Sequence, residues 1–376
     1  MLLDMLTDKV REPAECIIKV SGHEISDLYP FLTEVTVEVG RSEAAAATLN
    51  FESRRDEEGL WSVQDAGILK DWESIIIEAA FGDYTEQVFS GYIRQVKPEY
   101  PEGGNATVSI ECQDDSIAMD REHRRRVWGK DAPTSDAVIL AEILGHHGLQ
   151  PHADNKDGQS GIVVNQDDTD ISFLRKRAEA NGYELIFSAD GVYFGPWRVD
   201  AKAQATIMVY AGKDTNCLSF STATDGHQPD TVSLQMAEGT GSGVAEEPVS
   251  SNLPSMGKEA ADSSSSGLDD FNWQMSREGG ADQQVLRGKA QKKANELAMK
   301  VKANGELDGT LYGYVLRVGE PVGVDGVGDW LAGIYYVDSV SHKFNYDGYR
   351  QSFNLLRNAY GDNLESGVGS ALSAIL

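Results

Sequence analysis

The sequence predicts an α+β, mainly β fold: two similar β-barrel domains with an inserted small α/β domain and a helix-containing connection. Three observations predict it. Short apolar runs alternating with polar residues fill residues 14–115 and resume after Trp197. Helical periodicity is confined to the stretch between Pro133 and Gly182 and to a run from about Asp282 to Asn304. Finally, "FSGYIRQVKPEYPEGGNATVSIEC" and "LAGIYYVDSVSHKFNYDGYRQSFNLL" both read strand, turn, strand after a glycine, Gly91 and Gly333, which hints at a duplicated barrel.

Residues 1–115 are assigned to the first barrel. "EVTVEVG" sets Val35, Val37 and Val39 against Glu34, Thr36 and Glu38, the period of a half-buried strand. "ATLNFES", "SIIIEAAFG", "QVFSGYIRQV" and "ATVSIECQ" continue the pattern, with turn-rich "KPEYPEGGN" between the last two. Residues 116–196 form the α/β module. In "APTSDAVILAEILGHHGLQP", Thr134 or Ser135 can start a helix, and Ala137, Leu140, Ala141 and Leu144 share a stripe. Gly145 or Gly148 stops it, and Pro151 forbids its return. "DTDISFLRKRAEANGYELIF" is a second helix running into a strand. Ile171, Leu174 and Ala178 form its buried stripe, and Asn181-Gly182 its left-handed stop. Asp190-Gly191 is the dipeptide of a type I′ hairpin turn.

Residues 197–236 begin the second barrel with "TIMVYAG", "CLSFSTAT" and "DTVSLQM". Residues 237–281 are rich in Gly, Ser, Ala and acid, and read as a flexible linker or long excursion. Residues 282–360 supply a helix with Leu286, Ala290, Ala294, Leu297 and Val301 on its stripe, ended by Gly305, and then the remaining strands: "GTLYGYVLRVG", "GIYYVDSVSHKFN" and "YRQSFNLLRN". Residues 361–376 are a C-terminal tail of small and apolar residues.

The 376-residue length suits two or three domains. Sixty acidic against 33 basic residues give a formal charge of −27, so the surface as a whole repels nucleic-acid phosphates. Cys16, Cys112 and Cys217 are odd in number and far apart, which reads as reduced thiols in a cytoplasm-folded protein rather than a disulfide framework. The N-terminus, with Asp4 and Asp8, has too short an apolar run for a signal peptide, and no window reaches the length of a membrane helix.

Catalytic signatures are lacking. There is no GxSxG, no Walker loop and no HExxH; adjacent His146 and His147 point about 100° apart, poor geometry for joint metal ligation. "GTGSG" lies in the low-complexity stretch and precedes no helix. No carboxylate pair, Asp114 and Asp115 included, is singled out as an acid–base couple. No catalytic residue, metal ligand or cofactor is therefore expected. The run Arg121, Arg124, Arg125, Arg126 and Lys130 stands out against an acidic chain. It reads either as a solvated linker or as an anion or partner-subunit contact, and complementary docking favours the partner contact. Arg175 and Arg177 are further contact candidates, on what reads as the exposed side of their helix, as are Leu372, Ile375 and Leu376 in the tail. The aromatic residues on strands could line a carbohydrate cleft, though barrel packing is the commoner use.

Several stretches together resemble the phage late control D proteins, the tail baseplate hubs of contractile-tailed phages. "AECIIKVSGHEISDLYPFLTEVTVEV" resembles their opening, "VFSGYIRQV" their first-barrel strand, and "DREHRRRVWGKDAPTSDAVILAEILGHHGLQ" an arginine-rich strand meeting a helix that ends H-G-L. "QDDTDISFLRKRAEANGYELIF" resembles a signature shared with the N-terminal part of the VgrG spike proteins of type VI secretion. "GIYYVDSVSHKFNYDGYRQSF" is similar to the closing strands. The resemblance implies a non-enzymatic homotrimer in the virion baseplate, assembled in the host cytoplasm. Three subunits would present six barrels, adapting a sixfold tail tube to a threefold spike around a central channel. Implied partners are the tube protein, a separate spike protein, other baseplate proteins and the tape-measure protein, with DNA a non-adhering passenger and no membrane contact. VgrG proteins continue into a needle where this chain stops, which is why the spike is expected to be separate. The rival readings are a hub of a non-phage contractile injection system and a tail-associated cell-wall hydrolase.

Overall fold

The computed structural model describes residues 13–102, 104–237, 244–262, 267–275 and 283–364. The first half supplies β1 (Glu15–Val20), β2 (Leu32–Gly40), β3 (Ala46–Ser53), β4 (Ser74–Phe81), β5 (Tyr84–Glu99) and β6 (Ala106–Asp114). Their buried residues mostly fall on every second position, so each strand turns one face to a core. The α/β unit follows: β7 (His123–Trp128), α1 (Asp136–His146), β8 (Val164–Thr169), α2 (Asp170–Asn181), β9 (Glu184–Ser188) and β10 (Gly191–Gly195). Ser135 caps α1 by accepting from the Val138 amide, and Gly182, at φ 70°, ends α2.

The second half holds β11 (Gln204–Met208), β12 (Cys217–Thr224), β13 (Thr231–Ala237), β14 (Val244–Ser250), β15 (Asn272–Gln274), α3 (Gln283–Ala298), β16 (Val301–Asp308), α4 (Gly309–Tyr312), β17 (Pro321–Asp325), β18 (Gly333–Asn345) and β19 (Gly348–Arg357).

The protein is mostly β. Thirteen strands join in one curled sheet, ordered β12-β16-β19-β18-β2-β3-β6-β5-β4-β1, with the short strand His23–Glu24 beyond β1 and with β17 pairing both β18 and β11. Divided by half, the order reads β1-β4-β5-β6-β3-β2 and β11-β17-β18-β19-β16-β12. Both halves thus place their first, fourth, fifth, sixth, third and second strands side by side. One pair departs: β1 and β4 are antiparallel, β11 and β17 parallel. The halves are stitched by β2 and β18, antiparallel from Gly40 opposite Ser339 to Glu34 opposite Asn345. Each half covers its own core, one around Val37, Leu49, Phe51, Ile75, Ile93 and Ile110, the other around Val301, Leu307, Val324, Tyr335, Phe353 and Leu355. A separate core under the α/β unit packs Trp128, Ile139, Leu144, Phe173, Leu174 and Phe194. Each large side chain buried there is worth about 1.5–3 kcal/mol.

Four sequence expectations are corrected. The helix read to Asn304 ends at Ala298, because Val301 and Ala303 alternate with Lys302 and Asn304 and pair on both sides, with β12 and β19. Gly305 is no helix stop; it lies mid-strand, where an added Cβ would strike the Ser219 carbonyl and the Phe353 ring. "GTLYGYVLRVG" forms no strand: Asp308 accepts from the Leu311 amide and starts the short α4 instead. The stretch 237–281, read as a flexible linker or long excursion, contains β14 and β15, which flank β13 in a three-stranded sheet apart from the main one. Val232 and Leu234 on β13 bury against Leu286, Ala290 and Ala294 of α3, so "DTVSLQM" serves this layer and not the second half's sheet. Composition hid this because a few apolar side chains, Val249 and Met256 among them, suffice to anchor it.

Candidate functional site

The chemistry-bearing groups gather in three places. The first is the solvent face of the main sheet. Inward residues such as Val35, Val37, Val340 and Phe344 fill the cores, so their neighbours Glu34, Thr36, Glu38, Ser339, Ser341 and Lys343 share the opposite face. The same parity puts Asn304, Glu306, Ser352 and Asn354 there from β16 and β19, and Thr48, Asn50, Ser109 and Glu111 from β3 and β6. The face is polar over β2, β3, β6, β16 and most of β18 and β19, and crosses both halves; Ile76, Tyr92 and Leu356 interrupt it toward its margins. Carboxylates of Glu34, Glu38, Glu52, Glu99, Glu111, Glu306 and Asp308 outnumber the cations Lys97, Lys302, Lys343 and Arg350, and Arg94 at the β5 bulge also approaches Glu111 at 3.7 Å. Glu34 is paired with Lys343 at 2.7 Å, and Asp308 with Arg350. A groove of about 330 Å³ opens on it, lined by Glu38, Ser219, Asn304, Glu306, Ser341 and Asn354. Hydroxyls, amides and carboxylates over a broad curved surface make a wet, weakly adhesive wall rather than a binding pocket.

The second place is a cleft of about 490 Å³ where the two halves meet the α/β unit, lined in part by Asp114, Asp115, Gln87, Arg317 and His342. Burial raises both carboxyls above the ordinary carboxylate range; for Asp115 a hydrogen bond with Ser90 opposes this, and for Asp114 bonds from Ser116 and Ala45 do. Asp114 is already engaged: it accepts from the Ala45 amide at 2.6 Å and the Ser116 amide at 3.1 Å, capping the turn after β6. His342 is buried and bonded through Nδ1 to the Tyr349 hydroxyl at 2.8 Å; burial lowers its pKa to about 3, so it stays neutral. Burial likewise pushes the Cys16 and Cys112 thiols up to about 12 and Cys217 to about 11, far from thiolate chemistry. Among the described residues no group of three or more His, Cys, Asp or Glu side chains is placed to hold a metal ion.

The third place is the basic strand β7. Its pairing with β8 sets Arg124, Arg125 and Arg126 opposite Asp168, Asp167 and Gln166. Arg125 bonds Asp167 at 2.8 Å but remains 82% exposed. Arg126 reaches Glu142 at 2.7 Å and lies over the Trp128 ring at 3.7 Å. Arg124 binds Glu122 at 2.8 Å and approaches Asp170 at 3.4 Å. His147 donates through Nε2 to the same Asp170 at 2.9 Å, which explains a histidine at the end of α1. Arg121 stands over Trp72 at 4.2 Å, and Arg175 borders a small polar hollow with Gln113 and Asp120. Arg177 is corrected: it does not face outward. It is 7% exposed, its Nε donates to Asp136 at 2.6 Å, and the run Arg175-Lys176-Arg177 straddles the helix rather than lining one side. Leu372, Ile375 and Leu376 lie outside the described residues.

Sequence reasoning missed the junction of all three parts. Arg41, at the end of β2, binds Glu184 of β9 at 2.8 Å and Asp338 of β18 at 3.1 Å, and lies over the Trp197 ring at 3.9 Å. Tyr336 donates to the other Glu184 oxygen at 2.7 Å. The only signal was an arginine directly after a strand-ending glycine, which says nothing of its long-range partners.

The family model of the Alg8 N-terminal domain matches residues 11–345. The chain belongs to the Alg8 N-terminal domain family. No curated protein is significantly similar to this family member. Solved structures are. The crystal structure of the 43 kDa tail protein of prophage MuSo2 from Shewanella oneidensis aligns with a TM-score of 0.68 and 13% identity, over 92% of this chain and 98% of that one. A tail protein from Neisseria meningitidis MC58 aligns at 0.64 and 12%, over 92% and 97%. An Escherichia coli component of the type VI secretion system, itself structurally similar to T4 bacteriophage tail proteins, aligns at 0.55 and 11%, over 93% and 79%. At these identities the likeness establishes a shared fold.

Proposed function

We propose that this chain is a structural tail protein of a contractile injection machine, the baseplate hub at the end of the tail tube. Three copies would present six sheet halves around a channel, meeting a sixfold tube on one side and a threefold spike on the other. The repeated strand order within one chain carries this reading, because a threefold ring of twofold-repeated subunits is sixfold in outline. The end-to-end fold match with two tail proteins supports it, as does the resemblance of the sequence motifs to late control D and VgrG proteins. The polar, net-acidic sheet face would form the channel wall, where carboxylates disfavour adhesion of a phosphate-bearing passenger. Mass photometry of the purified chain tests the assembly: a trimer is expected, and a monomer at all concentrations would overturn it.

The basic strand β7 would serve as a docking surface for a neighbouring subunit or baseplate protein. Arg125, the most exposed of the run, is its centre. Arg124→Glu with Arg125→Glu should weaken assembly and remove its salt sensitivity; unchanged assembly would assign these arginines to intrachain pairing alone. The raised carboxyls of the Asp114–Asp115 cleft favour one second reading, a tail-associated hydrolase. Zymography on cell walls decides: no clearing is expected, and clearing abolished by Asp115→Asn would replace the structural reading.

A further inference from the structure

Across β2, β3, β5 and β6 on one side and β12, β16, β18 and β19 on the other, the two halves correspond residue by residue, two irregularities included. β5 loses register with β6 between Ile93 and Gln95; β18 loses it with β19 between Val337 and Ser339. Arg94 and Asp338 are therefore equivalent bulges. β2 slips against β3 between Leu32 and Glu34, and β12 against β16 between Cys217 and Ser219, which makes Thr33 and Leu218 equivalent. Just before β4 and β17 the backbones repeat as well. The Trp72 amide donates to Ile93 O at 2.7 Å, and the Gly319 amide to Val337 O at 2.9 Å. The residues at that turn have φ 70° and 74°, although one is a tryptophan and the other a glycine.

One contact lacks its counterpart. Beyond the Asp338 bulge, β18 leaves β17 and pairs with β2. Beyond the Arg94 bulge, β5 leaves β4, and among the described residues Gln95–Glu99 has β6 on one side and no strand on the other. The equivalent of β2 is β12, whose outer edge also pairs with no described strand. We infer that β12 of one copy adds to β5 of the next, antiparallel, in the register that β2 and β18 use within the chain. Transferring that register sets Thr224 opposite Val96, Ser221 opposite Glu99 and Phe220 opposite Tyr100.

The side chains fit. Tyr100 occupies the position of Phe344; Phe344 is 6% exposed because the other half covers it, whereas Tyr100 is 56% exposed and awaits such a cover. Asp338 at its bulge binds Arg41, whose place across the new seam falls to Gly226; Arg94 at the matching bulge has Asp225, in the place of Gly40, as the neighbouring acid. Pro98 takes the place of His342 and offers no amide, so this edge has one donor fewer than the intrachain junction. The same proline guards it against unselective strand pairing. Because donor and acceptor edges lie on different strands, the contact is heterologous and propagates around a ring. The inference deepens the hub reading and rests on it only for the number of copies.

The test is a Glu99→Cys, Ser221→Cys double variant, oxidised as the full-length assembly. These positions are exposed and face each other across the proposed seam, while six strands separate β5 from β12 within one chain. Expected is a ladder of disulfide-linked copies on a denaturing gel, absent from either single variant and from the out-of-register pair Glu99→Cys, Thr224→Cys. Val96→Pro removes an edge amide that points away from β6 as well as a contact with the first core, and should lower self-association at least tenfold more than Val96→Ala, which loses that contact but keeps the amide. Oligomers by mass photometry without the in-register cross-link, or with association no weaker in Val96→Pro than in Val96→Ala, would overturn the seam while leaving the hub reading standing. A chain that neither cross-links nor oligomerises would overturn both.

Discussion

Arg41 and Glu184 form an ion pair, 2.8 Å apart, with the arginine side chain 8% exposed and the glutamate 2%. Through it the end of β2, the α/β unit and β18 share one electrostatic centre, since Arg41 also holds Asp338 and Glu184 also accepts from Tyr336. Burial of the Glu184 carboxylate is tolerated because its oxygens have charged or hydroxyl donors. Arg41→Leu leaves that carboxylate without its cation. It is expected to cost about 3–5 kcal/mol of unfolding free energy, read by urea denaturation. Adding Glu184→Gln to Arg41→Leu should recover part of the loss, because the stranded charge is then gone.

His342 makes the fold acid-sensitive. In the unfolded chain it titrates near 6.5 and in the folded protein only at about 3, so as pH falls the unfolded state takes up the proton first. Its contribution is full above 6.5 and is lost as pH drops toward 3. At pH 5 the loss is about 2 kcal/mol, at 1.36 kcal/mol per pH unit. Urea midpoints for wild type and His342→Gln should converge on acidification by that amount; parallel curves would contradict it.

Gly288 of α3 lies against the Ala180 carbonyl of α2, and Gly182 against the Gly288 carbonyl, at a separation that leaves no room for a Cβ. Gly288→Ala should therefore push α3 off the α/β unit in spite of alanine's better helix propensity. Amide exchange is expected to accelerate in α3 and β13 while the main sheet stays protected.

Cys16, Cys112 and Cys217 are free thiols with pKa values pushed up by burial. At pH 8 the native protein should react with a thiol reagent at least a hundredfold more slowly than the urea-unfolded chain, which should titrate three thiols.

Much of this architecture is legible in the sequence because period-2 and period-3.6 patterns are local. The alternation of Val35, Val37 and Val39 marks β2, and Ile171, Leu174 and Ala178 mark the buried side of α2. What local pattern cannot carry is the choice between equally local options. Val301 fits a helical stripe and a strand alternation alike, and only pairing with β12 and β19 decides for the strand. The likeness of the two hairpins is readable, but its register is not: strand pairing sets Gly91 equivalent to Tyr335, whereas their shared glycine pattern suggested Gly333. Arg177 reads as exposed beside Arg175 and Lys176, and is buried because Asp136, distant in sequence, supplies its counter-charge.

In the proposed ring, duplicated halves from several copies close through a single repeated strand junction. Cryo-electron microscopy of the purified full-length protein, viewed down the ring axis, tests it most directly. Expected are three copies with sixfold outline, a polar sheet face lining the lumen, and β12 of each copy hydrogen-bonded to β5 of the next. A solitary chain, or a ring whose copies meet through other surfaces while both strand edges stay bare, would contradict it.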